Sequence, residues 1–320
     1  MTRSRIVATA QMDEIAISIL SKVAPVETSP GTDEQTLLGF CDRTIAFVSR
    51  GTGAVTAGII DKSKQLKVIG RTGAGFDTVD IDAATRCKIP VVIAPVGGFA
   101  VAEGVLAMLL CLIKQLRECD AIVRSGNWDK RFGMATGDMT GHTVGIIGFG
   151  RIGSHLARLL KPFELTILAY DPYLTVDQIE ERGADPVELE ELLSRSDYVS
   201  LHMPLNDETR GMINIKRINM MKQGAILINA ARGDLMESLD ILADALDSGQ
   251  LSSLGLDVFP GEPPDASHRL FKDPRCLCAP HVVGCSKMAM ERISRSMATD
   301  MVAVLEGGRP THCVNPEVFA

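Results

Sequence analysis

The chain has 320 residues, 46% of them hydrophobic but only 4% aromatic, with 29 glycines and a net charge of −7. That length suits two domains of ordinary size, with aliphatic cores of the kind built by buried parallel strands under closely packed helices. The acidic balance, with no long basic run, speaks against a nucleic-acid or membrane-surface partner, and the longest apolar run, around residues 105–113, is too short to span a bilayer.

The N-terminal "MTRSRIVATAQMDEIAISIL" meets charges before an apolar stretch of signal-peptide length can develop, so a soluble, cytoplasmic protein is expected. In the first hundred residues "RIVATA", "IAFVS", "LKVIGRTG" and "PVVIAP" read as strands, with helical segments between them. The spacing of about 20–25 residues per β–α unit predicts a parallel sheet covered on both faces. Val101, Val105, Leu109 and Leu112 then keep helical spacing, and the absence of Gly or Pro between Gly104 and Gly126 predicts one long helix to about Ser125. A second α/β series follows in "TVGIIG", "LTILAYD", "YVSLHMP", "AILINAA", "LSSLGLDV" and "CLCAPH". A last helix, about Lys287 to Glu306, stops at Gly307-Gly308. The expected fold is α/β, with two doubly wound parallel-sheet domains. Residues 1–99 plus 288–320 form one, and residues 100–287 are inserted as the other.

Gly148, Gly150 and Gly153 stand as G-x-G-x-x-G between the apolar "TVGII" and the helical "RIGSHLARLL". The first glycine permits a tight turn, the second lets backbone approach a pyrophosphate, and the third allows close helix–strand packing; the helix N-terminus favours the negative charge. Asp171 ends the next strand, where a carboxylate accepts hydrogen bonds from the adenosine ribose and repels a 2′-phosphate. Pro172-Tyr173 brings no cation to offset it, so NAD is expected rather than NADP.

Ligands of open α/β sheets lie at the carboxyl ends of the strands. Arg232 follows "AILINAA", Asp257 follows "LSSLGL" with Glu262 close behind in "DVFPGEPP", and His281 follows "CLCAP". An arginine fork matches a substrate carboxylate and polarises an adjacent carbonyl, a histidine exchanges the proton of an alcohol, and a carboxylate orients the ring. Such a set suits hydride exchange between C2 of a hydroxyacid and a nicotinamide. Eight cysteines at 41, 87, 111, 119, 276, 278, 285 and 313 contain no C-x-x-C pair and no zinc set, so no metal is expected and most should be buried, reduced hydrophobes. Cys276 and Cys278, two apart, would point the same way on a strand.

The blocks "TVGIIGFGRIG", "VSLHMPLNDETRGMIN", "MKQGAILINAARGDLM", "LGLDVFPGEPP" and "APHVVGCS" closely resemble, in order, those of the D-isomer-specific 2-hydroxyacid dehydrogenases, such as phosphoglycerate dehydrogenases and glyoxylate/hydroxypyruvate reductases. The resemblance covers most of the chain. It implies a Rossmann cofactor domain inserted into a flavodoxin-like substrate domain, and commonly a homodimer through the cofactor domain. It also implies Arg232 as the substrate-binding and catalytic arginine, His281 as acid/base and Glu262 as its partner. Cofactor contacts are implied at Gly148, Gly150, Arg151, Ile152, Gly153, Asp171, His202, Pro204, Thr209, Ala230, Arg232, Asp257 and His281, with Asp257 at the nicotinamide. Substrate contacts are implied at Arg50, Ala74, Gly75, Arg232 and His281, and Arg50 lies where phosphoglycerate dehydrogenases hold a substrate phosphate. Many members carry polar side chains where this chain has Gly97, Gly98, Phe99 and Ala100. The chain stops soon after its last helix, so no appended regulatory domain is expected. An NAD-sensing scaffold or co-repressor-like protein of the same fold is the alternative, separated by a turnover assay.

Overall fold

The computed structural model describes residues 4–51 and 53–320. The chain divides into two compact units, Met1–Gly97 with Ser286–Ala320, and Gly98–Cys285.

Among the described residues the first unit holds five parallel strands: β1 (Arg5–Ala8), β2 (Val26–Thr28), β3 (Thr44–Ser49), β4 (Val68–Arg71) and β5 (Val91–Val92). They lie in the order β2-β1-β3-β4-β5, the flavodoxin-like winding. Ile6, Val7, Phe47, Val48 and Ile69 are wholly buried, as a sheet covered on both faces requires. The helices begin where Asp13, Asp33, Thr56 and Asp80 each accept a backbone N–H of the first turn, caps worth about 1 kcal/mol apiece. The C-terminal helix Lys287–Leu305 packs Met297 and Met301 onto β4 so closely that a Cβ at Gly70 would overlap Met301.

The second unit holds β6 (Thr143–Ile147), β7 (Thr166–Tyr170), β8 (Asp185–Pro186), β9 (Tyr198–Leu201), β10 (Ala225–Asn229), β11 (Leu251–Leu256) and β12 (Cys276–Cys278). Among its described residues these make one parallel sheet, ordered β12-β11-β10-β9-β6-β7-β8. The chain starts at β6, winds outward through β7 and β8, then returns to β9, so the order reverses between β6 and β9. That reversal is the topological switch point of a Rossmann sheet. Val144, Ile146, Val199, Leu201, Leu227 and Leu254 are fully buried, the aliphatic core that the composition implies.

The single long helix expected from Val101 to Ser125 is two helices, Gly98–Ile113 and Leu116–Arg124, bent by 59°. Gln115 takes a left-handed conformation (φ 49°, ψ 42°) with neither Gly nor Pro to cause it. The break is imposed by tertiary contacts: the Gln115 amide donates to the Ala135 carbonyl (3.0 Å) and Lys114 Nζ to that of Gly137 (2.7 Å). Leu116–Arg124 buries none of its side chains. No single helix among the described residues is long and apolar enough to cross a membrane. The cysteines are also less hidden than expected: only Cys41 and Cys276 are buried, and Cys87, Cys278 and Cys285 are exposed.

Candidate active site

At the switch point β6 runs into the glycine turn. Gly148 has φ 89°, and a Cβ there would lie 2.7 Å from the His202 carbonyl carbon and the Met203 nitrogen, so only glycine lets the two loops touch. A Cβ at Gly153 would overlap the Gly148 carbonyl, which fixes helix Arg151–Leu160 tightly on β6. Gly150, by contrast, faces open space at the N-terminus of that helix, with nothing within 4 Å of a Cβ. The three glycines thus divide into a turn, an open cradle and a packing contact, as pyrophosphate binding demands. Arg151 is exposed on the first turn and Ile152 is half-buried beside it.

Asp171 follows β7 and folds back on the turn, accepting from Phe149 N (2.8 Å) and Tyr173 N (3.0 Å). Arg182, unmarked in the sequence, closes the other side by donating to the Phe149 carbonyl (2.8 Å). Beyond β9, His202 sets its Nε2 against Ser200 Oγ (2.8 Å). Its Nδ1 is buried and has no hydrogen-bond partner among the described residues. Burial pushes His202 down to about 4, so the ring is neutral near pH 7. Pro204 and Thr209 belong to one tight loop, in which Thr209 Oγ1 donates to the Pro204 carbonyl (2.8 Å). The open cradle at Gly150, the acid at Asp171 and the orphaned Nδ1 fit a bound dinucleotide.

The polar groups on the neighbouring strands β10, β11 and β12 are locked by one another's backbones. The buried Asn229 ends β10 and Ala230 follows it; Asn229 clips the turn, donating to the Arg232 carbonyl (2.8 Å) and accepting from Ala231 N (3.0 Å). Arg232 is half-buried and sends Nη1 to the Ala231 carbonyl (2.7 Å). A Cβ on Gly233 would overlap the backbone of Phe259 and Pro260, so the arginine loop lies directly on the "DVFPGEPP" turn. Asp257 is buried at the end of β11 and accepts from Val282 N (2.8 Å) and Val283 N (3.3 Å). Burial is the main cause holding its carboxyl above the usual range, partly offset by those two N–H groups.

Asp257 thereby anchors the turn just after His281, a role the sequence alone did not reveal. His281 itself has φ 57°, a left-handed backbone that costs a non-glycine residue on the order of 1 kcal/mol. Its Nδ1 lies 2.8 Å from Glu262 Oε2, and Glu262 Oε1 accepts from Phe259 N (3.2 Å). With Nδ1 engaged, Nε2 is the ring nitrogen left to exchange a proton with a ligand. In the first unit, Arg50 follows β3 and donates to the Gln11 carbonyl (2.6 Å), while Ala74 and Gly75 lie in the loop after β4, past Gly73 at φ 99°. No group of three or more potential metal ligands occurs among the described residues. A cavity of about 560 Å³ opens at the amino ends of β9, β10 and β11, lined by Arg117, His142, Tyr198, Lys222 and Arg275. Arg232 and His281 follow the carboxyl ends of the strands, at the opposite end of the sheet.

Residues 106–283 match the family described as D-isomer specific 2-hydroxyacid dehydrogenase, NAD binding domain. The chain belongs to this family. It is 36% identical to a D-3-phosphoglycerate dehydrogenase of Methanocaldococcus jannaschii over 97% of its length and 59% of that protein. It is 32% identical to the enzyme of that name from Archaeoglobus fulgidus, again over 97% of the chain and 59% of the relative. The chain therefore spans less than two thirds of these relatives. Among solved members of the dehydrogenase fold it resembles a glyoxylate reductase from Paecilomyes thermophila (28% identity, TM-score 0.88, 99% of each chain). It is also similar to a D-lactate dehydrogenase from Aquifex aeolicus, solved with NAD and lactic acid (27% identity, TM-score 0.88, covering 98% of this chain and 99% of that one).

Proposed function

We propose that the protein interconverts a 2-oxoacid and a D-2-hydroxyacid with NAD(H). The observation that carries the reading is the 2.8 Å pairing of His281 Nδ1 with Glu262, at the end of a strand two places from the one that ends in Arg232. The cradle of Gly148, Gly150, Arg151, Ile152 and Gly153 would hold the pyrophosphate, and His202, Pro204, Thr209, Ala230 and Asp257 would line the rest of the cofactor path. When bound, the dinucleotide supplies or takes the hydride at C2. Arg232 holds the substrate carboxylate and withdraws charge from the carbonyl oxygen as it becomes an alkoxide. His281 gives that oxygen a proton from Nε2 in reduction and takes it back in oxidation, while Glu262 holds the imidazolium and fixes its tautomer. Arg50, Ala74 and Gly75 are assigned to substrate binding, Arg50 offering charge for a second anionic group.

Asp171 sets the preference for NAD, since its carboxylate repels a 2′-phosphate. The test is NADH oxidation with a panel of glyoxylate, hydroxypyruvate, phosphohydroxypyruvate and larger 2-oxoacids, repeated with NADPH. Turnover with at least one acid, faster with NADH, is expected. Tight NADH binding without turnover on any acid would overturn the reading in favour of a sensing scaffold. The same reading includes a homodimer through the cofactor unit, supported by a run of exposed apolar side chains at Leu116, Val123, Trp128 and Phe132.

A further inference from the structure

Cys276 and Cys278 flank Leu277 on β12, the edge strand of the seven-stranded sheet. Their sulfur atoms lie 3.5 Å apart on one face. The two differ in access: Cys276 is buried and Cys278 exposed. Arg117, from helix Leu116–Arg124, reaches the strand and donates to the Cys276 carbonyl (3.0 Å). The sulfur–sulfur contact with Cys276, helped by Arg117, lowers the Cys278 thiol below its ordinary range against the opposing effect of burial. The same contact, followed by burial, pushes Cys276 up. An exposed thiol made more acidic beside a buried, less acidic one is the arrangement of an attacking and a resolving cysteine.

We propose that Cys276 and Cys278 are an oxidation site that closes to an intrastrand disulfide under a hydroperoxide, and that closure slows catalysis at His281. The Cys278 thiolate attacks one peroxide oxygen, the O–O bond breaks, and hydroxide leaves to become water, giving a sulfenic acid. The Cys276 sulfur then attacks the sulfenic sulfur, its proton leaves with the departing hydroxyl as a second water, and the S–S bond forms. Two thiols are oxidised and one peroxide is reduced. Two residues of extended strand span about 6.6 Å, near the upper end of the Cα separation a disulfide accepts, so the strand must pucker. As an edge strand, β12 pairs among the described residues with β11 alone and can do so. Only Ala279 and Pro280 separate Cys278 from His281, so the pucker is passed to the histidine that must meet Glu262.

The effect on turnover rests on the dehydrogenase reading; the disulfide does not. The experiment uses the full chain carrying Cys285→Ser, because Cys285 falls on the same tryptic peptide. After near-stoichiometric hydrogen peroxide and iodoacetamide, the peptide from Cys276 to Lys287 should lose two hydrogens and carry no alkyl group. Turnover should fall by about tenfold or more, as a misplaced catalytic group would cause. Dithiothreitol should restore both, and phenylarsine oxide, which bridges close dithiols, should block the peroxide reaction. Cys278→Ser in the same background should keep basal turnover and lose the peroxide sensitivity. Both cysteines still alkylated, or Cys278 carried to sulfinic acid with Cys276 alkylated, would overturn the disulfide. A disulfide formed with turnover unchanged would overturn its regulatory effect. A reduced protein inactive on every acid would instead sink the dehydrogenase reading, with the mass change still deciding the disulfide.

Discussion

Arg232 and His202 show how far single side chains can be read. In the proposed reaction Arg232 both anchors the carboxylate and stabilises the alkoxide, so Arg232→Ala should lower kcat/KM by about two to four orders of magnitude. Its side chain is half-buried in a loop held by Asn229, so the melting temperature should barely move. Activity near wild type with an unchanged melting curve would show that another cation does the work. His202 is depressed to about 4 by burial. The unfolded chain binds its proton below about pH 6.5, while the folded protein refuses it until about pH 4. Stability is therefore complete above pH 6.5 and lost as pH falls through that window, by up to about 3 kcal/mol for this one ring. Urea melts of His202→Asn at pH 7.5 and pH 5 should show a smaller acid-dependent loss than wild type; an equal loss would assign it to other groups.

At the scale of elements, the strands and the glycine turn were legible because their signals are local. An apolar run of strand length, a G-x-G-x-x-G and an acid at the next strand end need no tertiary context. Glu262 and His281 were legible as polar residues in the loops after β11 and β12, while their pairing was implied by the family resemblance. What escaped the sequence depends on contacts made far along the chain. The helix breaks at Gln115 because of carbonyls at Ala135 and Gly137. The short edge strands β2 and β8 carry too few residues to show a period. Asp257 is spent on the backbone of Val282 and Val283, a use that no motif announces. Gly233 belongs with these. In sequence it reads as punctuation after Arg232, yet it is where the loops after β10 and β11 press together. Gly233→Ala must part those loops, at a cost of about 1–3 kcal/mol, and should take kcat down more than tenfold by shifting Arg232. An unshifted melting temperature with intact turnover would mean the loops relax without consequence.

For the molecule as a whole, charge and apolar surface pull in opposite directions. Each chain carries a net charge of −7, so two copies repel at long range. Against this stands the segment from Leu116 to Phe132, in which Trp128 is 57% and Phe132 77% exposed, far more than large aromatics usually are. Arg131 lies over both rings, 5.0 Å from the Trp128 centroid and 4.2 Å from that of Phe132, which braces them in place. Aromatic side chains are enriched at the centres of protein interfaces. If they bind a second copy, association should strengthen with salt, because ions screen the repulsion within about 8 Å at physiological strength while apolar burial persists. Sedimentation of the wild-type chain should give a dimer whose dissociation constant falls from low to moderate salt. Phe132→Asp should sediment as a folded monomer, adding charge where the two acidic chains would have to meet. A wild-type monomer at all salt concentrations would refute the dimer, and a Phe132→Asp protein that stayed dimeric would place the interface elsewhere on the chain.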